Sequence, residues 1–458
     1  MKNKVVISLS MFLLNSALFG NSLTLNQAIE TLRANNLEIK AAKLDLNIAR
    51  RDEKTVNGMH FGKLDFIQDI AYSNDAGNVF GFRLTSREAQ GKDFATGEYD
   101  QYGQPLVDEN GNPDYDRDSD VLNYPDPRAF FQSKLHFEIP LFTGFQLTSY
   151  SNIMKAMTKM KSLDKDKVLN EKIYELRKSY YDMALLRSSE RNLNNILNNI
   201  RKLENMTRNM IHEGYAKRVD LLEVKAKRGN VERLLMEMRS NQKLLNHYIS
   251  FLLNKRVDDI ITPTSNVPMP NLHTKTILNN NLDIKKAKVG LEVRKNMVDV
   301  SKSSYYPMVG AFAELATADD TFLGDASDHS AYSLGVRLTW NIYNGGIDDA
   351  NLEKAKIEQL KTRTQVELAR KGIGLKVAKI KTEIKSSNEE IASLEKELAL
   401  ANEIYHNYES RYREKLASMS DVIIKQSEQI QKILELQMAV NKRNEKIFAL
   451  EKLSNGEK

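Results

Sequence analysis

Residues 331–346 read AYSLGVRLTWNIYNGG, and this stretch decides the fold that the sequence predicts. From Tyr332 to Ile342 apolar and polar residues alternate, which is the period of a strand with one apolar and one polar face. Asn344 and the two glycines after it end the strand. An apolar spacing of three and four residues then continues for about 65 residues, on the order of 100 Å as a helix. A strand that leads directly into so long a helix predicts a membrane β-barrel continued by a helical tube.

The composition of the 458-residue chain excludes several classes of protein. There is no cysteine, so disulfides, thiol chemistry and an acylated lipoprotein anchor are excluded. The net charge of +6 comes from 67 basic and 61 acidic residues without a basic block, and nothing in it indicates nucleic-acid binding. The seven histidines are scattered, and no two have metal-ligand spacing on one helix. Because phosphate-binding loops and nucleophile motifs are also missing from the sequence, we expect no enzyme activity, no cofactor and no metal ion.

The N-terminal segment has the pattern of a secretory signal. Lys2 and Lys4 precede an apolar run from Val5 to Phe19, and small residues follow it. We predict a signal peptide at residues 1–22. The alternative is an uncleaved helical anchor, for which the run is short. Since no other segment has 18 uninterrupted apolar residues, a membrane crossing elsewhere would have to use strands.

Two parts of the chain match at a constant offset of 245 residues. NNLEIKAAKLDL begins at Asn35 and NNLDIKKAKVGL begins at Asn280. The chain is therefore predicted to contain two structural repeats, each with a helix, two strands, a long helix and a returning helix. The predicted domains are a first repeat at 23–260, with strands near 63–72 and 130–141 and a helix pair near 147–253; a proline-containing linker at 254–280; and a second repeat at 281–455, with strands near 308–316 and 332–342 and a helix pair near 347–453.

The predicted strands have the length of tilted membrane crossings, about 9–11 residues. A long polar loop, at about 86–127, connects the first pair of strands, and a shorter polar loop connects the second pair. Long polar loops are typical of the outer side of a barrel. The lumen of a water-filled barrel should be polar. The alternation assigns these residues to the lumen: Lys134, His136, Glu138 and Arg337. The alternative is that some of them lie at the rim.

Each long helix must reverse direction, and two short segments are candidates for the turns. IHEGYAKRVDLLEV begins at Ile211 and YREKLASMSDVIIK begins at Tyr412. In each segment an aspartate, Asp220 or Asp421, precedes an aliphatic run and would cap the returning helix. The first turn has a glycine, which allows a left-handed backbone, whereas the second turn has Lys415 at the equivalent position.

These motifs together resemble the TolC family of outer-membrane efflux proteins. The duplicated NNLxIKxAK helix starts, the corners PLFTG and NIYNGG, and the turns GYAKRVD and KLASMSD carry the resemblance over nearly the whole chain. The resemblance implies an α+β membrane protein and a homotrimer, in which each protomer gives four strands to one twelve-stranded β-barrel. A long periplasmic α-helical coiled-coil barrel continues it. It further implies the outer membrane of a Gram-negative bacterium as the location, and a periplasmic adaptor and an inner-membrane transporter as partners.

The resemblance also implies roles for residues of the two turns. The family's adaptor-contacting turns fall on Gly214, Tyr215, Ala216, Lys415, Leu416 and Ala417. Lys415 departs from the family's glycine. Asp220 and Asp421 fall on the family's aspartate at the aperture. A threefold axis would arrange these aspartates as acidic rings that gate the periplasmic aperture and pair with Arg218 of neighbouring protomers. Helix capping alone is the alternative.

Three functions remain open from the sequence. The first is the exit duct of a tripartite efflux system, which passively conducts small molecules such as drugs and toxic compounds from the periplasm to the exterior. The second is the same duct in a type I protein secretion system. The third is a trimeric coiled-coil surface protein without a pore, against which the alternating strands argue. The sequence has no ATP-binding motif, so the first two require energy from a partner and an iris-like opening of the paired helices.

Overall fold

The computed structural model describes residues 22–90, 104–114, 116, 118, 120–263 and 267–455. The predicted signal peptide lies outside this part of the chain, apart from its last residue. Among the described residues, no helix combines the length and the apolar character needed to cross a membrane.

The described chain contains helices of very different lengths and six strands. The helices are α1 (Leu25–Asn35), α2 (Leu37–Gly58), α3 (Ala76–Thr85), α4 (Asp120–Asn123), α5 (Gln146–His212), α6 (Arg218–Leu253), α7 (Thr274–Asn280), α8 (Leu282–Lys302), α9 (Ile347–Arg413) and α10 (Met419–Ser454). The strands are β1 (Ser22–Leu23), β2 (Lys63–Ser73), β3 (Arg128–Thr143), β4 (Asp259–Ile260), β5 (Met308–Asp319) and β6 (Ser330–Thr339). Helices α5 and α9 each have 67 residues, and α6 and α10 each have 36. Helices α3 and α4 lie where the sequence analysis assigned only loop or no element.

The chain divides into two compact units. The helical unit contains the described residues of Met1–Asn47, Lys159–Lys288 and Thr364–Lys458, and the sheet unit contains those of Ile48–Thr158 and Val289–Arg363. Each unit therefore draws residues from both predicted repeats. The repeat describes the order of elements along the sequence, whereas the compact units describe which elements pack together.

The sheet unit is built on four antiparallel strands in the order β2-β3-β5-β6. The central pair joins β3 to β5, and its register shifts once, between Pro140 and Phe142. Proline has no N–H to give to a ladder, so an irregularity at this position is expected. Strands β2 and β5 end, and β3 and β6 begin, at the same end of the sheet. The loops β2–β3 and β5–β6 therefore both lie at this end.

Two glycines at the opposite end of the strands allow close backbone contact. Gly62, before β2, has a φ of 76°, and a Cβ there would lie 2.4 Å from the Glu138 carbonyl oxygen. Gly144, after β3, has a φ of 59°, and a Cβ there would lie 2.6 Å from the Ser303 carbonyl oxygen. Both positions require a left-handed residue without a side chain, which only glycine provides.

Two buried asparagines of the helical unit, 245 positions apart, make matching contacts. Asn36 accepts a hydrogen bond from the Ile39 N–H at 3.0 Å and donates to the Leu252 carbonyl at 2.8 Å. Asn281 accepts from the Ile284 N–H and donates to the Leu453 carbonyl, both at 3.1 Å. Each side chain thus caps the start of one helix and donates to a carbonyl at the end of a returning helix. These two hydrogen bonds explain why asparagine is the second residue of each NNL motif.

Three hydrophobic clusters form the core of the helical unit. One joins α1, α5 and α6 around Leu32, Leu176 and Tyr180, and Tyr180 donates a hydrogen bond to the Leu23 carbonyl at 3.0 Å. A second packs α7 against α9 and α10 around Ile277 and Phe448. The third lies along α5, α6, α9 and α10 toward the two helix turns. Its buried members are Leu193, Ile196, Leu197, Ile200, Leu203, Val224, Val231, Leu235, Tyr405, Tyr412, Met419, Val422 and Ile430.

Candidate functional site

The strand register separates the sheet into a polar face and an apolar face. Residues directly opposite each other in an antiparallel ladder point to the same side. His136 lies opposite Asp65 on one neighbour and opposite Glu314 on the other. The polar face therefore contains Lys63, Asp65, Asp69, Lys134, His136, Glu138, Glu314, Ser333 and Arg337. The four residues that the sequence assigned to the lumen share this face.

Charged neighbours pair across the polar face. The Lys134 ammonium lies 3.5 Å from an Asp69 carboxylate oxygen, and the His136 Nδ1 lies 3.3 Å from a Glu314 carboxylate oxygen. Glu138 lies opposite Lys63 in the register. An open pocket of about 810 Å³ is lined by this face and the end of α2. A surface that carries polar groups of both signs is wettable.

The apolar face is exposed to an extent that is unusual for large hydrophobic side chains. In β6, Tyr332, Leu334, Val336 and Leu338 are 79, 73, 66 and 63 % exposed. The same face carries further exposed side chains: Leu64, Phe66, Ile70, Tyr72, Leu135 and Leu315. Contiguous apolar surface of this kind is typical of a contact with lipid or another protein.

Two polar side chains in the middle of the apolar face, those of Gln68 and Ser133, form a hydrogen bond with each other. Ser133 donates a hydrogen bond to the Gln68 side-chain oxygen at 2.6 Å, and the two residues lie directly opposite in the register. Ser133 is 8 % exposed. A polar pair that is hydrogen-bonded internally costs far less in an apolar environment than two separate polar groups.

Phe312 is a large apolar residue on the polar face of β5, so it interrupts the apolar–polar alternation of this strand in the sequence. It lies on the polar face between Glu138 and Gly335, and its ring covers Gly335, where a Cβ would lie 2.4 Å from the ring. The Arg337 guanidinium lies 5.9 Å from the ring centroid. The ring thus fills the space that glycine leaves and contacts a cation. Sequence reasoning missed Glu314 and the lysine and aspartates of β2, because β2 and β5 alternate less regularly.

The two helix turns have the same backbone geometry despite their different residues. Tyr215 N–H donates to the Met210 carbonyl at 2.7 Å, and Leu416 N–H donates to the Arg411 carbonyl at 2.7 Å. In each case the preceding residue is left-handed, with a φ of 76° at Gly214 and 63° at Lys415. Both turns therefore end their helices with a left-handed residue, and the second turn does so with a lysine at a steric cost.

Lys415 compensates for its strained backbone through a contact with the other turn. Its ammonium lies 3.3 Å from the centroid of the Tyr215 ring. A cation at this distance over an aromatic face is stabilising by about 0.5–1 kcal/mol at an exposed site, against a left-handed cost of about 1–2 kcal/mol. The contact joins the two turns to which the family resemblance assigns the adaptor contact.

We expect Lys415→Gly to stabilise the chain more in a Tyr215→Ala background than in the wild type, by about 0.5–1 kcal/mol. In the wild type the substitution relieves the backbone strain but also removes the cation from the ring. In the Tyr215→Ala variant the ring is already missing, so the substitution only relieves the strain. The free energy of unfolding in urea measures both steps of this cycle. Lys415→Arg keeps a cation over the ring and is the control. Strictly additive effects would show that the contact contributes nothing.

Asp220 and Asp421 cap the returning helices α6 and α10. Asp220 accepts a hydrogen bond from the Lys217 N–H at 2.9 Å. Asp421 accepts from the Ser418 N–H at 3.1 Å and from the Ser418 hydroxyl at 2.6 Å. The hydrogen bonds from Ser418 lower the pKa of the Asp421 carboxyl from its ordinary value of 3.8. Both aspartates therefore act as helix caps. Their predicted role in the gate stays a prediction.

Arg218 forms no ion pair with Asp220 or Asp421 among the described residues of this single chain. The sequence predicted a pairing between protomers, which stays a prediction. Contacts between α6 and α10 near the turns are made by other side chains. Ser420 donates to Glu223 at 2.7 Å, and Lys227 donates to Ser427 at 2.6 Å. Burial lowers the pKa of Lys227. Glu223, Lys227 and Ser420 line an open groove of about 450 Å³ between the two helices.

Comparison with known proteins gives a family match over part of the chain and a similar fold over most of it. Residues 274–456 match a family model described as "Outer membrane efflux protein". No curated protein matches the chain. The solved structure of CusC has a TM-score of 0.77 at 14% identity, covering 94% of this chain and 91% of that one.

Two further structures of outer membrane proteins are similar in the same way. VceC of Vibrio cholerae has a TM-score of 0.76 at 15% identity and covers 94% of this chain and 96% of that chain. The open state of the MtrE outer membrane channel of Neisseria gonorrhoeae has a TM-score of 0.73 at 13% identity, with coverages of 94% and 88%. The resemblance to outer membrane efflux proteins that the sequence predicts is thereby confirmed, by the family model over residues 274–456 and by the shared fold over 94% of the chain.

Proposed function

We propose that this protein is the outer-membrane exit duct of a tripartite efflux system in a Gram-negative bacterium. Three copies form one twelve-stranded β-barrel, which a periplasmic α-helical barrel continues. Small molecules, such as drugs and toxic compounds, pass through it passively. An inner-membrane transporter supplies the energy, and a periplasmic adaptor connects the two. The family match, which names efflux, favours this reading over a duct for protein secretion.

The observation that carries the proposal is the two-faced sheet. One face has polar side chains in contact at Lys134–Asp69 and His136–Glu314, and the other exposes large apolar side chains such as Phe66 and Leu334, at 62 and 73 %. A sheet in water needs one of its faces covered by a core, and an exposed apolar face is stable only against lipid or protein. Apolar-out and polar-in alternation is the pattern of a membrane barrel with a water-filled lumen.

The open edges of the sheet support a closed ring of several copies. Strands β2 and β6 each pair on only one side within the four-stranded sheet. Exposed edge strands of 11 and 10 residues would pair with other chains unless they are protected. Pairing of β6 with β2 of the next protomer satisfies both edges, and three such sheets give twelve strands. Ring closure also requires a symmetric assembly, of which a trimer is one of the simplest.

The matching elements of the chain support two repeats. Helices α5 and α9 are equally long, as are α6 and α10. Asn36 and Asn281 make corresponding hydrogen bonds. The proposed repeats are residues 23–260 and 281–455, joined by the linker at 254–280. In three copies the repeats give six similar helix pairs around one tube.

We propose that the two turns form the adaptor contact and the closed end of the tube. Tyr215 and Leu416 are exposed at 62 and 69 %, which leaves apolar surface for a partner. Gly214, Ala216 and Ala417 are small and allow close approach of another helix. On a threefold axis Asp220 and Asp421 would form acidic rings, with Arg218 available to pair across protomers. Such rings favour cations and hold the closed state until adaptor contacts replace them.

The purified protein in a planar bilayer tests the proposal. We expect a mass of three chains in native mass spectrometry and discrete conductance steps after insertion. Deletion of the gene should raise the sensitivity of cells to small toxic compounds; retention of an exported protein in the deleted cells would instead indicate secretion. A trimer without conductance would support the coiled-coil surface protein and overturn the duct.

A further inference from the structure

We propose that Glu88, Asp319 and His329 form a binding site for a divalent transition-metal ion, with Zn²⁺ as the best fit. The three residues come from separate parts of the sheet unit. Asp319 ends β5, His329 directly precedes β6, and Glu88 follows α3. One ligand atom from each lies within 4.8 Å of the other two. The inference does not depend on the proposed transport function.

Asp319 is held in place before any ion binds. The Asp320 N–H donates to its Oδ1 at 2.7 Å, and the Asp325 N–H donates to its Oδ2 at 2.8 Å. Gly324 packs directly against the carboxylate, since a Cβ there would lie 1.6 Å from Oδ2. Asp319 is 8 % exposed. Second-shell hydrogen bonds of this kind orient a ligating carboxylate and leave its other lone pairs available.

His329 has a buried ring nitrogen that needs a partner. Its Nδ1 is inaccessible to solvent and has no hydrogen-bond partner among the described residues. A buried nitrogen without a partner is costly, and a metal ion on a neutral imidazole removes that cost. This nitrogen is the observation that distinguishes the group from a simple cluster of carboxylates.

Glu88 is also oriented, and the charge of the group suits a divalent ion. The Ser86 hydroxyl donates to its Oε2 at 2.7 Å, and Arg128 forms an ion pair with the same oxygen. The carboxylates of Glu88 and Asp319 outnumber the single guanidinium of Arg128, and Asp320, 3.9 Å from that guanidinium, adds a further negative charge nearby. The contacts of Glu88 with Ser86 and Arg128 are both made to Oε2, so Oε1 can face an ion.

The donor set favours Zn²⁺ over Ca²⁺ or Mg²⁺. Zn²⁺ accepts nitrogen and oxygen ligands at about 2.0–2.1 Å in a tetrahedron, which places ligand atoms about 3.4 Å apart. Ca²⁺ needs six to eight oxygens, and Mg²⁺ needs octahedral oxygen coordination. Three protein ligands and one water complete a zinc site, after small rotations of the Glu88 and His329 side chains bring their atoms closer. The ion would connect the two ends of loop 320–328 to the segment after α3.

Zinc titration of the purified full chain after treatment with EDTA tests the site. We expect one Zn²⁺ bound per chain and a rise in the melting temperature. His329→Ala is expected to weaken Zn²⁺ binding by more than about 100-fold, and Glu88→Gln, which keeps an acceptor for Ser86, by at least about 10-fold. Co²⁺ in place of Zn²⁺ should give the absorption of a tetrahedral site.

The matched control is His406→Ala. His406 lies 3.5 Å from Glu409 on α9, so it is another histidine–carboxylate pair, and it belongs to no group of three ligands among the described residues. Its removal should leave Zn²⁺ binding unchanged. Equal affinity in wild type and His329→Ala would overturn the site. Tighter binding of Ca²⁺ or Mg²⁺ than of Zn²⁺ would overturn the assignment to a transition metal.

Discussion

Leu334→Arg is expected to prevent stable insertion of the protein into a lipid bilayer. Leu334 lies in the middle of β6 on the apolar face and is 73 % exposed in the single chain. An arginine on the lipid face at the bilayer midplane costs about 2–4 kcal/mol in each chain. Three chains in one barrel would each carry this cost. In water the same substitution at so exposed a position would change the stability very little.

Ser333→Arg is the matched control for this substitution. Ser333 is the neighbouring residue in the same strand, and it lies on the polar face directly opposite Glu314. An arginine there meets a carboxylate and, in the proposed barrel, water. We therefore expect the Ser333→Arg protein to insert and to be as stable as the wild type within about 0.5 kcal/mol.

Urea unfolding of the protein folded into lipid vesicles measures the difference between the two variants. A lower yield of folded trimer for Leu334→Arg, with a wild-type yield for Ser333→Arg, is the expected pattern. Equal stability of the two arginine variants would mean that both faces meet water. That result would contradict the membrane barrel and leave the apolar face as a contact surface for another protein.

The alternation of β6 predicted the faces of the strand but not its end. Tyr332 to Ile342 alternate without interruption, whereas the ladder ends at Thr339, opposite Met308. A strand ends where its partner ends, and β5 begins directly after Pro307. The Trp340 indole instead donates a hydrogen bond to the Tyr305 carbonyl at 3.2 Å. Side-chain patterning reports which face is apolar, but it carries no information on where a neighbouring strand begins.

Contacts between residues that are far apart in the sequence could not be predicted from the sequence either. The caps at Asp220 and Asp421 were predictable because capping links residues three positions apart. The contact of Lys415 with Tyr215 joins residues from different helix pairs. The group around His329 joins three elements in the same way, and a search for ligand spacing within one helix does not detect it.

Substitution of Asp421 should separate its charge from its capping function. Asp421→Asn keeps an oxygen that can accept from the Ser418 N–H and removes the negative charge, whereas Asp421→Ala removes both. If a ring of three carboxylates helps to hold the aperture closed, both variants raise the single-channel conductance in a planar bilayer several-fold. If the residue acts only as a cap, Asp421→Ala alone changes the channel, through fraying of the first turn of α10.

The pH dependence of the wild type gives a second measure of the same charge. Because hydrogen bonds from Ser418 lower the pKa of Asp421 below 3.8, the carboxylate stays ionised at neutral pH and through mild acid. The wild-type conductance should therefore rise toward that of Asp421→Asn only as the pH falls below about 4. The rise should be smaller in the variant, which retains only the proposed ring of Asp220.

Glu428→Gln is the control for these measurements. Glu428 is on the same helix, and its carboxylate pairs with Lys425 at 3.0 Å. It should leave both the conductance and its pH dependence unchanged. A conductance of Asp421→Asn equal to that of the wild type would remove Asp421 from the gate and leave it as a helix cap. Since capping is already present in the single chain, only the charge variant decides whether the acidic ring has a further role.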